Sequence, residues 1–237
     1  MKTLKVLSAL MAYPQAETQA ALPELAEALE QEAVLPDAER RALHRFIQRL
    51  SRTELMDLQE QYVATFDRGR ALSLHLFEHI HGESRDRGQA MVNLLEVYRR
   101  HGFELNAREL PDYLPLFLEY LAQQPTEEAL DLLAETAHVL TLLGARLAER
   151  GNDYHAVFDA LTVLVGEPED SAEIRQQAAT EGPDQAVVNM DKIWEEETVT
   201  FLGNQDGCAT GRGHAAEAQP VQWLSRPGVA PQTARSL

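Results

Sequence analysis

Cysteine is all but missing from this 237-residue chain. Cys208 stands alone, so no disulfide can close within it and no cysteine-based zinc site can form. That usage suits a reducing cytoplasm. Long apolar runs are missing too: none approaches the roughly 20 residues that a bilayer-spanning helix needs. The first apolar stretch, Val6 to Ala12, is flanked by Lys2 and Lys5 as in a signal peptide. Ser8 interrupts it, however, Tyr13-Pro14 stops it, and no small-x-small cleavage site follows. It reads as an amphipathic first helix with Leu4, Leu7, Leu10 and Met11 on one face. Basic residues are scarce: 21 Lys and Arg stand against 38 Asp and Glu, a formal net charge of −17. Such a surface repels nucleic-acid phosphates and anionic lipid, and it suits a basic peptide or protein partner. The same charge also serves plain solubility. Outside one histidine-rich window, enzyme signatures are absent as well. Gly203, Gly207, Gly211 and Gly213 follow no strand and so make no phosphate loop. There is no Gly-x-Ser-x-Gly elbow, and Cys208 has no ordered histidine to activate it.

What is present is helical periodicity, with no convincing alternating strand. The expected fold is all-α, a single helical bundle over residues 1–165. Pro14 and Pro23 punctuate the first turns, a helix runs to about Gln31, and Pro36-Asp37 opens another through Leu50. Thr53 is a candidate cap for the next, whose Leu55, Leu58, Tyr62 and Phe66 fall on one stripe. Ser84 is placed to cap a helix carrying Met91, Leu94, Leu95 and Tyr98, and Asp112 to cap one with Pro115 in its first turn. Thr126, with Glu127 and Glu128, starts the longest expected helix, which reaches Arg150. It is apolar on most sides, which places it at the bundle's centre and makes His138 a buried core histidine. Asp153 then caps the last helix of the bundle. Residues 166–202 read as an acidic, partly helical extension anchored by Ile174, Val187, Val188, Ile193 and Trp194. Residues 203–237 read as a flexible tail, too polar and glycine-rich to offset chain entropy.

Chemistry concentrates between Tyr62 and Asp86, where three histidines (His75, His79, His81) sit among carboxylates, arginines and aromatics. His75-Leu76-Phe77-Glu78-His79 fits an H-x-x-E-H pattern. On a helix, histidines four apart face the same way and can hold one zinc, with the glutamate polarising its water. A zinc-dependent hydrolase is therefore one reading of the window. The pattern is short, and its third ligand would have to come from a distant helix. No metal or other cofactor is assigned. Exposed His79 or His81 would make any peptide binding pH-dependent, since histidine titrates near neutrality.

The other reading is recognition. Tyr62-x-x-x-Phe66-Asp67, then His75-Leu76-Phe77-Glu78-His79-x-His81-Gly82, then Asp86-Arg87-Gly88-Gln89-Ala90-Met91 closely resemble the NarJ group. These are the nitrate reductase molybdenum-cofactor assembly chaperones, historically called the delta subunit. Leu105-Asn106-x-x-Glu109-Leu110-Pro111-Asp112-Tyr113-Leu114-Pro115 resembles that group's second signature, with Tyr113 where the wider redox-enzyme chaperone family often has histidine. The resemblance covers most of the chain, including the acidic region after Gly166-Glu167-Pro168.

What the resemblance implies is a dedicated cytoplasmic chaperone, not an enzyme. It would bind the apo catalytic subunit of respiratory nitrate reductase, chiefly at its N-terminal segment, and permit molybdenum cofactor insertion before membrane attachment. Contact with the cofactor-delivery machinery is implied as a further partnership, without nucleic acid and without membrane insertion. A partner segment of that kind is a basic amphipathic helix, which calls for an apolar groove with acidic rims. Phe66, Leu76, Phe77, Met91, Tyr113 and Leu116 are the candidates for the groove, and Asp67, Glu78, Asp86 and Glu119 for its charge. His75, His79 and Arg87 complete the candidate site, with Asp86-Arg87 or the histidines able instead to fix the interhelical loop. Simple core packing is the competing role for Phe66, Leu76, Phe77 and Met91.

Overall fold

Leucines at helical spacing build the first element, α1 (Lys2–Met11), in which Leu4, Leu7 and Met11 lose all contact with solvent. A computed structural model describes residues 1–82, 84–105 and 109–182 of the chain. The start of α1 is capped from a distance. The Glu32 carboxylate accepts the amides of Lys2 and Thr3 and the Thr3 hydroxyl, the last at 2.7 Å. Those are amides that no residue within the helix can satisfy. Burial works to raise the carboxyl's pKa, but the Thr3 and Lys2 bonds outweigh it and hold Glu32 below its ordinary value. Glu32 ends α3 (Leu22–Glu32), which follows the short α2 (Ala16–Ala20) and carries Pro23 in its first turn, where a missing amide costs little.

Next, α4 (Asp37–Arg52) buries Leu43, Phe46, Ile47 and Leu50. Thr53 does not cap the following helix; its hydroxyl turns back to the Arg49 carbonyl at 2.9 Å and closes α4 instead. α5 (Leu55–Tyr62) runs without a break into a π-helical turn, Val63–Asp67. The wider turn sends Phe66 into the core and leaves Asp67 exposed. After α6 (Leu76–His81) and α7 (Asp86–Arg100), α8 (Leu114–Leu121) packs along α1, with Pro115 in its first turn as read from the sequence. The Ser8 hydroxyl donates to the Pro115 carbonyl at 2.6 Å between them.

The expected helix from Thr126 to Arg150 is two: α9 (Thr126–Ala134) and α10 (Ala137–Glu149). At the break, the amide and hydroxyl of Thr136 both turn onto the Leu133 carbonyl, at 3.0 and 2.7 Å. They take the acceptor that the Ala137 amide would use in a continuous helix. His138 is not a core residue. It is exposed and lies 3.1 Å from Asp170, because the apolar faces of α10 leave one polar seam and His138 falls on it. α11 (His155–Val165) is the central element, with Val157, Phe158, Ala160 and Leu161 fully buried against α10, α4, α9 and α1. Gly144 lets α10 approach α11 closely: a Cβ there would stand 3.1 Å from the Phe158 Cβ. Asn152 rather than Asp153 caps the turn into α11, through the Tyr154 amide, while Asp153 pairs with Arg49.

Past Gly166, α12 (Ser171–Thr180) lies on α10, burying Ala178. Arg146 clasps both Glu181 oxygens at 2.6 and 2.7 Å. The Val187, Val188, Ile193 and Trp194 anchors, and the expected tail from residue 203, lie outside the described residues. Among the described residues no helix is long and apolar enough to cross a membrane. The one β-type pairing among them is an isolated bridge between His75 and Tyr113.

Candidate functional site

That bridge organises the site. Leu72 and Leu74 are buried, which pulls the segment before α6 onto the bundle. There the Leu114 amide donates to the Leu74 carbonyl at 2.8 Å and the Leu76 amide to the Asp112 carbonyl at 3.1 Å. Asp112 is completely buried and does not cap the helix that follows it. Its Oδ2 accepts the Phe77 amide at 3.0 Å and its Oδ1 faces His75 Nδ1 at 3.3 Å. Asp112 thus caps α6, a helix on the far side of the bridge, and a carboxylate there also suits the positive end of the helix dipole.

The histidines have separate tasks. The hydrogen bond to Asp112 raises the pKa of His75, against the effect of burial. His79 is lowered by burial, and its Nε2 donates to the Ser73 carbonyl at 2.8 Å. His81 meets Phe77 edge-on, ring centroids 5.4 Å apart. His75 is the residue before α6, in an extended conformation, so it does not share a helical face with His79. The expected zinc geometry is therefore not formed. Among the described residues no three His, Cys, Asp or Glu side chains come together to hold a metal ion.

Of the four charge candidates, Glu78 is already paired, with Arg87 at 3.1 Å. Burial opposes ionisation of Glu78, but the Ser73 hydroxyl, Arg87 and His75 outweigh it and keep its carboxyl below the ordinary range. Arg87 consequently does not pair with Asp86, which is exposed in the first turn of α7. Asp67 and Glu119 are exposed as well.

Two concavities gather most of the remaining candidates. Phe66, Asp67, His75 and Tyr113 line a cavity of about 270 Å³ together with Tyr13 and Glu109. Leu116 and Glu119 line a hollow of about 420 Å³, floored by Tyr98, Phe103, Leu105 and Tyr120. A neighbouring hollow of about 520 Å³ shares Tyr98, Phe103, Glu104 and Leu105 and reaches Glu109 and Leu110. The two form one apolar groove, whose carboxylates, Glu104, Glu109 and Glu119, outnumber its one arginine among the described residues, Arg99. Phe66 and Leu76 are only 4% and 2% exposed; Phe66 backs the wall of the first cavity, and Leu76 is core. Phe77 and Met91 are half-buried on α6 and α7, and Leu76, Phe77, Asp86 and Met91 line none of these hollows. Sequence reasoning did not single out Tyr13, Tyr98, Phe103, Glu104 or Tyr120 for the site. The available signal was the Phe103-x-Leu105 pair, apolar residues placed just beyond the end of a helix.

Comparison with known proteins assigns the chain. The family model of the nitrate reductase delta subunit matches residues 12–160. Over 208 residues, 88% of each chain, it is 46% identical to the nitrate reductase molybdenum cofactor assembly chaperone NarJ of Escherichia coli (strain K12). It is 43% identical over 202 residues, 85% of this chain and 84% of the other, to a probable chaperone of the same description, NarW, in that strain. A probable NarJ of Bacillus subtilis (strain 168) is 33% identical over 159 residues, covering 67% of this chain and 85% of its own. The matched residues contain the π turn, the Asp112-capped α6 and the whole groove, and on these grounds the chain belongs to the nitrate reductase delta subunit family.

Proposed function

We propose that this protein is a dedicated, non-catalytic chaperone of nitrate reductase assembly, acting in the cytoplasm. It binds the N-terminal segment of the apo catalytic subunit and keeps that subunit open while the molybdenum cofactor is inserted, before membrane attachment. The observation that carries this reading is identity at 46% over 88% of the chain to an assembly chaperone of that description. The groove supports it: Tyr98, Phe103, Leu105 and Leu116 offer an apolar floor, and Glu104, Glu109 and Glu119 an acidic margin. A basic amphipathic helix lies in such a groove by its apolar face. The field of a chain carrying −17 speeds its arrival.

Calorimetric titration with the N-terminal peptide of the cognate catalytic subunit, beside a scrambled control, tests the reading. Micromolar or tighter binding, weakening as salt is raised and on Glu119→Lys, is the expected result. Equal heats from the two peptides would overturn it.

A further inference from the structure

The 270 Å³ cavity differs in chemistry from the groove beside it, and the difference lies in its protons. Tyr62 has one hydroxyl hydrogen, and it goes to the Met11 carbonyl at 3.0 Å. The 2.9 Å contact between the Tyr62 and Tyr113 hydroxyls must then be donated by Tyr113. The Tyr113 oxygen therefore turns only lone pairs toward the cavity. Asp67, from the π turn, and Glu109, from the segment before α8, add two carboxylates at the mouth. Both are exposed. Tyr13, 42% exposed, supplies an open aromatic ring, held edge-on against Tyr62 at 5.5 Å. His75 also lines the wall, but its Nδ1 is turned to the buried Asp112, which matches any charge it carries.

Aromatic rings, an acceptor-only hydroxyl and two exposed carboxylates make a receptacle for a cation. From this geometry we propose that the cavity takes up one arginine side chain of the segment bound in the adjoining groove. Arginine suits it better than lysine: a planar guanidinium stacks on Tyr13 or Tyr113 while its fork of N–H donors reaches Asp67 and Glu109 together. Glu109 borders both the cavity and the groove, which joins the cationic anchor to the apolar track. The inference rests on the proposed function and specifies how the partner segment is positioned.

The test is a double-mutant cycle by calorimetry on the full chain. Each basic residue of the N-terminal peptide of the cognate catalytic subunit is replaced in turn by glutamine. Every peptide is titrated against the wild type, Asp67→Asn, Glu109→Gln and Tyr13→Leu. The expected result is about tenfold weaker binding for each protein variant. One arginine of the peptide should then lose little further affinity when changed in the Asp67→Asn background, and its replacement by lysine should recover only part of the loss. The two carboxylates are exposed, so unchanged urea midpoints will show that folding is intact. Tight binding to the wild type with every basic position additive to Asp67→Asn would overturn the cationic anchor and leave the chaperone reading standing. A peptide that fails to bind the wild type would remove both.

Discussion

Asp112→Ala should lower the free energy of unfolding by about 3 kcal/mol, read from urea denaturation. The carboxylate is fully buried and satisfies the Phe77 amide and His75 simultaneously. Alanine removes both acceptors, so the Phe77 amide and the His75 ring lose the partner that the fold provides. Asp112→Asn keeps one acceptor oxygen and should lose roughly half as much. The penalty also has a pH signature. His75 holds its proton more tightly when folded, so its pairing stabilises fully below the ordinary histidine pKa of 6.5 and is lost as pH rises through the raised value. The Asp112→Ala deficit should therefore be larger at about pH 6 than at about pH 8. A deficit under about 1 kcal/mol at both would show that Asp112 is not what holds α6.

Phe158→Ala should cost about 4 kcal/mol, the usual price of emptying a fully buried aromatic site. Phe158 sits where α11 meets α10, and the close approach at Gly144 leaves the two backbones no room to collapse further into the void. Gly144→Ala acts oppositely, pressing a methyl against the Phe158 Cβ; alanine's higher helix propensity offsets part of that strain, so stability should change by no more than about 1 kcal/mol. Thermal and urea unfolding of both variants checks the pair. A Phe158→Ala loss no larger than that of Gly144→Ala would mean the α10–α11 contact is not the centre of the core.

The family and the all-helical class were legible in the sequence because their signals are local. Leu4, Leu7, Leu10 and Met11 declare one face of α1, and Pro115 marks the first turn of α8, with no knowledge of the rest of the chain. Capping was not legible, for a physical reason. Lys2 and Phe77 find their acceptors 30 and 35 residues away, in Glu32 and Asp112. A neighbouring serine, threonine or aspartate is then not required, and the side chains of Thr53, Ser84 and Asp153 do other things or nothing at the helix starts. The break at Thr136 was hidden because the residues on both sides are good helix formers and the amide and hydroxyl of a single residue mark it.

The same limit governs the site. Asp67, Glu78, Asp86 and Glu119 look alike in sequence, but Arg87 reaches across from α7 to occupy Glu78, while Asp67 opens onto a cavity with Glu109. Pairing between helices separates these carboxylates, and periodicity carries no record of it. The groove's floor was hidden similarly. Phe103 and Leu105 lie beyond a helix end, where a helical stripe cannot predict what they face.

A chaperone of cofactor insertion prefers its client before the cofactor is in place. The direct measurement is the affinity of the full-length protein for the purified catalytic subunit of the cognate nitrate reductase, apo and cofactor-loaded, by surface-immobilised binding. The expected result is clear binding to the apo subunit, at least about tenfold weaker binding to the loaded form, and competition by the N-terminal peptide. Equal affinity for the two forms would contradict it.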